Sequence, residues 1–203
     1  KTFGYIEQDE FGNVFYKPEA YKFGEKIFKV LHNTKDNFAL DKDYMINIEA
    51  VPAEQAAAKM QKADEMLYPE KVVKDLPLYG NQFIPLGIKT TLQERVKIAA
   101  AFDNYCNGGS ILHFNIEAPF TSEEAAWDML NYITDAGVTY FAFTTKIQAC
   151  KNNHAFFGKI CPICGEPVDT EYSRIVGFYV PIKTYSKARK EEWSMREWEK
   201  VNG

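Results

Sequence analysis

The chain has 203 residues, 46% of them hydrophobic, which is enough to bury one large core or a core with a small appendage. Its net charge of −4 offers no global field for gathering nucleic acid or anionic lipid, so no direct nucleic-acid binding is expected. No stretch approaches the ~18 uninterrupted apolar residues of a membrane span, and the opening KTFGYIEQDE lacks the apolar block of a signal peptide, so the expected setting is cytoplasmic, away from membranes.

In chain order, Phe11-Gly12-Asn13 reads as a turn between two short extended pieces. Pro18 starts a helical pattern carried by Phe23, Ile27, Val30 and Leu31, with Gly24 as an interior blemish. MINIEA (45–50) is a short strand candidate, and the strong helix formers after Pro52 predict a helix to about Leu67. Prolines 69, 77 and 85 restrict the backbone on either side and predict a long ordered loop.

A further helix is predicted over 91–105, closed by Asn107-Gly108-Gly109. ILHFNI (111–116) then alternates, with Leu112, Phe114 and Ile116 on one face and His113 and Asn115 on the other. The second face points either into a cavity or to solvent. Thr121 or Ser122 can cap the next helix, which Gly137 ends and the strand VTYFAFTT follows. Helix, glycine, strand, repeated, is the rhythm of an α/β fold. The charged terminal segment KTYSKARKEEWSMREWEKVNG predicts a surface helix whose Trp193 and Trp198 pack back on the body.

Cys150, His154, Cys161 and Cys164 form C-x3-H-x6-C-x2-C, two short knuckles that can close a tetrahedron around a borderline-soft ion such as zinc. A buried thiol pair or a redox CxxC is the alternative, and His154 is the member a solvent-facing loop histidine could imitate. With four protein ligands the site would be closed and its zinc structural. Cys106, remote from the cluster, reads as a small buried or half-buried thiol.

Beyond the cluster, SRIVGFYV (173–180) would make a good strand but for Gly177 in its middle. A strand-interior glycine gives up packing and costs backbone entropy, and it usually marks a bulge, a bend or a close approach.

CPICGEPVDTEYSRIVGFYVPIKTYSKARKEEW resembles the carboxyl-terminal region of class III anaerobic ribonucleoside-triphosphate reductases, where a zinc ribbon precedes a glycyl-radical loop of the form R-[VI]-x-G-[YF]. INIEAVPAEQAAAK, LYGNQFIPL, CNGGSILHFNI and AGVTYFAFTTKI resemble family blocks in the same order, so the likeness covers about residues 20 to 195. The resemblance implies the second half of a ten-stranded glycyl-radical-enzyme α/β barrel over 1–145, a zinc ribbon over 146–168, and a radical loop with a terminal helix over 169–203.

It further implies that Gly177 bears the radical, since a glycine α-carbon can lie planar between its amide and carbonyl and be reached, and any Cβ would impede both. The implied radical is made by an iron–sulfur activase that uses S-adenosylmethionine, and passes to a cysteine thiol. The thiyl abstracts a ribose hydrogen of a ribonucleoside triphosphate and the 2′-hydroxyl leaves as water, with formate or a thiol as reductant. The family's thiyl cysteine lies on a finger loop upstream of these blocks, and no residue here matches it. The chain therefore needs the amino-terminal half as partner, and a homodimer is implied when complete. Lys1 at the start fits an excerpt, a split-gene product or a processed piece. A non-enzymatic zinc-ribbon binding module and a detached spare-part radical subunit are the other readings.

Overall fold

The computed structural model describes residues 4–72, 76–175 and 177–201. Residues 73–75 of the expected loop, Val176 of SRIVGFYV and residues 202–203 of the terminal segment lie outside that description, as does the side chain of Glu54.

A hairpin of β1 (Ile6–Gln8) and β2 (Val14–Tyr16) opens the chain, turning where Phe11-Gly12-Asn13 predicts. Asp9 fixes the turn by accepting from the Phe11 and Asn13 amides at 3.0 and 2.8 Å. Helix α1 (Pro18–Lys42) starts with proline in its first turn, where the missing N–H costs nothing. Tyr21 and Phe28 of α1 stack on Phe102 of α3 (Leu92–Asp103), with ring centroids 6.1 and 5.7 Å apart, and Phe28 also stacks on Tyr105 at 5.0 Å. Gly24 has its reason in this contact: a Cβ there would stand 2.4 Å from the Phe102 ring. A neighbouring stripe of α1, Phe23, Ile27, Val30, Leu31 and Phe38, is exposed, and no residue of this helix is buried.

Helix α2 (Glu54–Leu67) matches its expected span. MINIEA does not form a strand. Its partner is the loop after α3 rather than another strand: the Ala50 amide donates to the Gly109 carbonyl at 3.0 Å and the Gly108 amide to the Ile48 carbonyl at 2.8 Å. The ladder therefore ends at the single bridge of Glu49 with Gly109.

The main core is a parallel pair, β3 (Leu112–Asn115) and β4 (Phe141–Thr144), joined by the crossover helix α4 (Glu123–Asp135). Ser122 caps α4 by accepting from the Ala125 amide at 3.1 Å, and Gly137 turns the chain with φ of +94°. Phe114 and Ile116 pack with Val96, Ala99, Ile133 and Val138, as the alternation in ILHFNI predicts. The buried Asp103 carboxylate accepts from the Ser110 hydroxyl and from the amide and hydroxyl of Thr139, tying the entries of both strands to α3.

The last third forms an antiparallel sheet in the order β6-β5-β7-β8, from β5 (Ile147–Ala149), β6 (Ala155–Phe156), β7 (Thr170–Arg174) and β8 (Tyr179–Pro181). The terminal helix α5 is shorter than expected, Lys187–Ser194, capped by Ser186. Past it the chain extends and docks on β3, with the Glu199 amide donating to the Asn115 carbonyl at 2.8 Å. Trp193 and Trp198 do turn inward: they flank the Lys146 ammonium, 5.3 and 4.4 Å from their ring centroids. Among the described residues no helix is long and apolar enough to cross a membrane.

Candidate functional site

Cys150 follows β5 directly, and its knuckle closes through the Asn153 amide donating to the Cys150 carbonyl at 2.9 Å. The second knuckle closes through the Gly165 amide on the Cys161 carbonyl, also at 2.9 Å, and Gly165 takes φ of +74° there, a conformation that favours glycine. The two turns bring Cys150, His154, Cys161 and Cys164 together, their ligand atoms all within 4.8 Å of one another.

Cys150 Sγ stands 3.5 Å from His154 Nδ1 and 3.6 Å from Cys164 Sγ, and Cys161 Sγ stands 3.6 Å from His154 Nδ1. All the cysteines are free. Sulfurs at this spacing are far beyond the ~2.05 Å of a disulfide. A tetrahedron with metal–sulfur bonds of about 2.3 Å and metal–nitrogen bonds of about 2.0 Å has edges of roughly 3.5–3.8 Å, so the quartet has the dimensions of a metal site. The Cys164 thiol is brought down to about 6 by the Glu166 amide and then the Asn152 side chain, so it presents a thiolate at neutral pH.

Gly177 is not inside a strand. The run SRIVGFYV folds as a hairpin in which Arg174 pairs with Tyr179, and Gly177 lies exposed in the connecting loop. Local propensity cannot make this distinction, because β-branched and aromatic residues favour a continuing strand and the two arms of a hairpin equally. A Cβ built on Gly177 meets nothing within 4 Å, and its φ is outside the left-handed region. Neither sterics nor backbone conformation demands a glycine here.

The hairpin base is well held. Tyr185 donates to the Ser173 carbonyl at 2.9 Å, and the Thr145 amide donates to the Tyr179 hydroxyl oxygen at 3.2 Å. Burial alone would raise the Tyr179 hydroxyl, but hydrogen bonds with Thr145 and Arg174 outweigh it and bring it below its ordinary value.

Ile175 of the hairpin lines a cavity of about 420 Å³, together with His113, Gln82, Arg189, Glu192 and Lys89. His113 is buried, and its imidazole is pushed down to about 4, first by burial and then by the Arg196 and Arg174 cations. It is neutral at pH 7. Asn115, expected on the same face, is also buried, but its Nδ2 reaches the Glu197 carbonyl at 3.4 Å. Asn81 and Gln82 hold backbone: Asn81 Nδ2 donates to the Ala50 carbonyl at 3.2 Å, Gln82 Nε2 to the Ile111 carbonyl at 2.8 Å, and Gln82 Oε1 accepts from the His113 amide at 3.0 Å. Arg95 fixes the next stretch of the same loop, reaching the carbonyls of Ile84 at 3.3 Å and Ile88 at 2.5 Å.

Arg189, Glu192 and Ile175 were not legible as cavity residues, because only the tertiary return of α5 and the hairpin brings them to His113. Cys106 is buried away from the quartet, its thiol pushed up by burial and then by Asp103, as a packing cysteine would be.

A family model described as anaerobic ribonucleoside-triphosphate reductase matches residues 2–198. A solved anaerobic ribonucleotide reductase is 35% identical with a TM-score of 0.90, over 97% of this chain and 32% of its own. The Thermotoga maritima anaerobic ribonucleotide reductase with glycerol in the active site is 35% identical with a TM-score of 0.84, over 93% of this chain and 31% of that one. The same enzyme in complex with dATP and CTP is 34% identical with a TM-score of 0.81, over 95% and 31%. No curated protein sequence matches significantly. The chain thus spans about a third of the length of these solved relatives. Matched by that family model almost from end to end, it belongs to the anaerobic ribonucleoside-triphosphate reductase family.

Proposed function

We propose that the chain is the radical-bearing carboxyl-terminal part of an anaerobic ribonucleoside-triphosphate reductase, with Gly177 as the radical store. The observation that carries this reading is that Gly177 sits at an exposed hairpin tip where nothing in the fold requires glycine. The residue two before it, Ile175, lines the cavity. A glycine standing where alanine would fit is accounted for by chemistry at its α-carbon. The activase's carbon radical removes one hydrogen atom there, leaving the unpaired electron shared between the amide nitrogen and the carbonyl. A hydrogen atom returned from a cysteine thiol in the rest of the enzyme makes the thiyl that acts on the ribose. Formate or a thiol then supplies the two electrons which, with protons, put a hydrogen in place of the hydroxyl lost as water.

Cys150, His154, Cys161 and Cys164 hold a structural zinc in this reading, because soft thiolates and an imidazole at tetrahedral spacing suit it and all four positions are protein groups. The ribbon (146–168) and the radical loop (169–203) work as one unit, since β5 and β7 pair directly. Residues 1–145 supply part of the ten-stranded barrel, with the parallel β3–β4 pair as two of its staves. The exposed stripe Phe23, Ile27, Val30, Leu31 and Phe38 on α1 is where the amino-terminal half packs.

The test is anaerobic activation with the activase, S-adenosylmethionine and the rest of the reductase, followed by electron paramagnetic resonance. A doublet present in the unsubstituted protein and absent in Gly177→Ala is the expected result. Activation without any doublet ends the proposal.

A further inference from the structure

Besides its hydrogen bond to the Tyr179 hydroxyl, Arg174 makes three contacts around Gly177. Its Nη1 donates to the Gly177 carbonyl oxygen at 2.9 Å, its guanidinium lies 4.8 Å from the centroid of the Tyr179 ring, and its own carbonyl accepts from Arg196 Nη1 at 3.0 Å. Arg196 is immobilised in turn: Nε and Nη2 donate to the two oxygens of Glu192 at 2.9 and 3.0 Å, and Glu192 also takes Arg189 at 3.1 Å. The side chains of this trio are 12% exposed or less. The cation that touches the Gly177 carbonyl is therefore stacked on one arm of the hairpin and anchored through the other to a buried ion network formed by Arg189 and Glu192 of α5 and Arg196 just past its end.

We propose that Arg174 is a positioning residue that stabilises the unpaired electron on Gly177 through the carbonyl it holds. The inference rests on the reading of Gly177 as the radical site. An α-carbon radical is stabilised by donation from its amide nitrogen and withdrawal by its carbonyl. A charge-assisted hydrogen bond on that oxygen strengthens the withdrawal, and it is roughly twice as strong as a neutral one. The same bond fixes the Gly177–Phe178 peptide plane, so the radical carbon stays coplanar with the carbonyl across which its spin spreads. Lysine would keep the charge but lose the planar fork and the stacking on Tyr179.

The experiment compares the unsubstituted chain, Arg174→Lys and Arg174→Met. Each is assembled with the rest of the reductase, carries glycine labelled with carbon-13 at the carbonyl, and is activated anaerobically. Far-UV circular dichroism and bound metal per chain report folding. Radical half-life and the carbonyl carbon-13 splitting report the bond and do not depend on how the activase recognises the loop. Arg174→Met is expected to shorten the half-life by at least about tenfold, the factor corresponding to one hydrogen bond to a charged group, and to change the splitting. Arg174→Lys recovers part of both.

A folded Arg174→Met protein with unchanged half-life and splitting overturns the proposal. Where Arg174→Met accumulates too little radical to time, the Gly177 carbonyl chemical shift of the unactivated protein reads the same bond. An upfield move on substitution supports the proposal and an unchanged shift overturns it. An unsubstituted protein with no doublet overturns the glycyl-radical reading instead, so the two failures are distinguishable.

Discussion

Ala149 on β5 stands opposite Thr170 on β7, so Cys150, the next residue in the chain, lies where β7 begins. From there β7 runs to Arg174, about 13 Å at ~3.3 Å per residue, before the hairpin loop starts. The quartet and Gly177 are therefore at opposite ends of one strand. On the proposed reading, a metal at the quartet would act on Gly177 through the sheet and not at its α-carbon.

Removing the metal should consequently loosen the hairpin from its base. A closed zinc site contributes on the order of 10 kcal/mol in small folds, so losing even a fraction of that opens the pairing of β5 with β7. Chelation, or Cys161→Ser, is expected to raise amide hydrogen exchange across β7 by at least about tenfold, equivalent to about 1.4 kcal/mol. Exchange in β7 that ignores the metal would disconnect the quartet from the hairpin.

Gly177→Ala and Gly165→Ala should part company. At Gly177 a methyl group meets nothing within 4 Å and φ is not left-handed, so alanine restricts the unfolded chain and leaves stability unchanged or raised by about 0.4–1 kcal/mol. At Gly165, with φ of +74°, alanine is strained and costs about 1–2 kcal/mol. Thermal unfolding of the two variants checks this. A Gly177→Ala protein that is much less stable would mean that the glycine serves the fold, and would remove the main support for its chemical role.

The features legible from sequence were those whose partners are close along the chain. The metal quartet spans Cys150 to Cys164, and the cap at Ser122 acts within three residues of itself. The alternation of β3 needed only its own residues. The β7–β8 hairpin is local, but its residue types suit a continuing strand equally well. Two features that were not legible depend on the return of distant chain: the meeting of Ile175 and His113 in one cavity, and the pairing of 47–50 with a loop instead of a strand. Gly24 belongs to the same group. Helix propensity counts it as a defect, and only the approach of Phe102 explains it.

That approach gives a prediction of its own. Gly24→Ala should gain about 1 kcal/mol in helix propensity and lose about 1–3 kcal/mol to overpacking against the Phe102 ring. The net is destabilising or near zero, never the full helix gain. Phe102→Leu makes room for the methyl group, so the double substitution should be more stable than the sum of the two single effects. Additive effects in a double-mutant cycle would place the helix contact elsewhere.

His113 gives the region around the cavity a pH dependence. Burial, followed by the charges of Arg196 and Arg174, lowers its imidazole from the ordinary 6.5 to about 4. Between those values the unfolded chain binds a proton that the folded protein refuses, so stability must rise with pH across that window and fall as the solution is acidified. At about 1.4 kcal/mol for each tenfold, the full loss from above pH 6.5 to below pH 4 is on the order of 3 kcal/mol. His113→Asn removes the titrating group and should flatten this part of the profile, even though it lowers stability at neutral pH by disturbing the packing beside the cavity. Urea midpoints measured at several pH values from 7.5 to 5 test the point. Parallel profiles for the two proteins would mean that His113 takes up its proton in the fold as readily as in the unfolded chain, and an imidazolium facing two arginines would then need a carboxylate closer to it than Glu192.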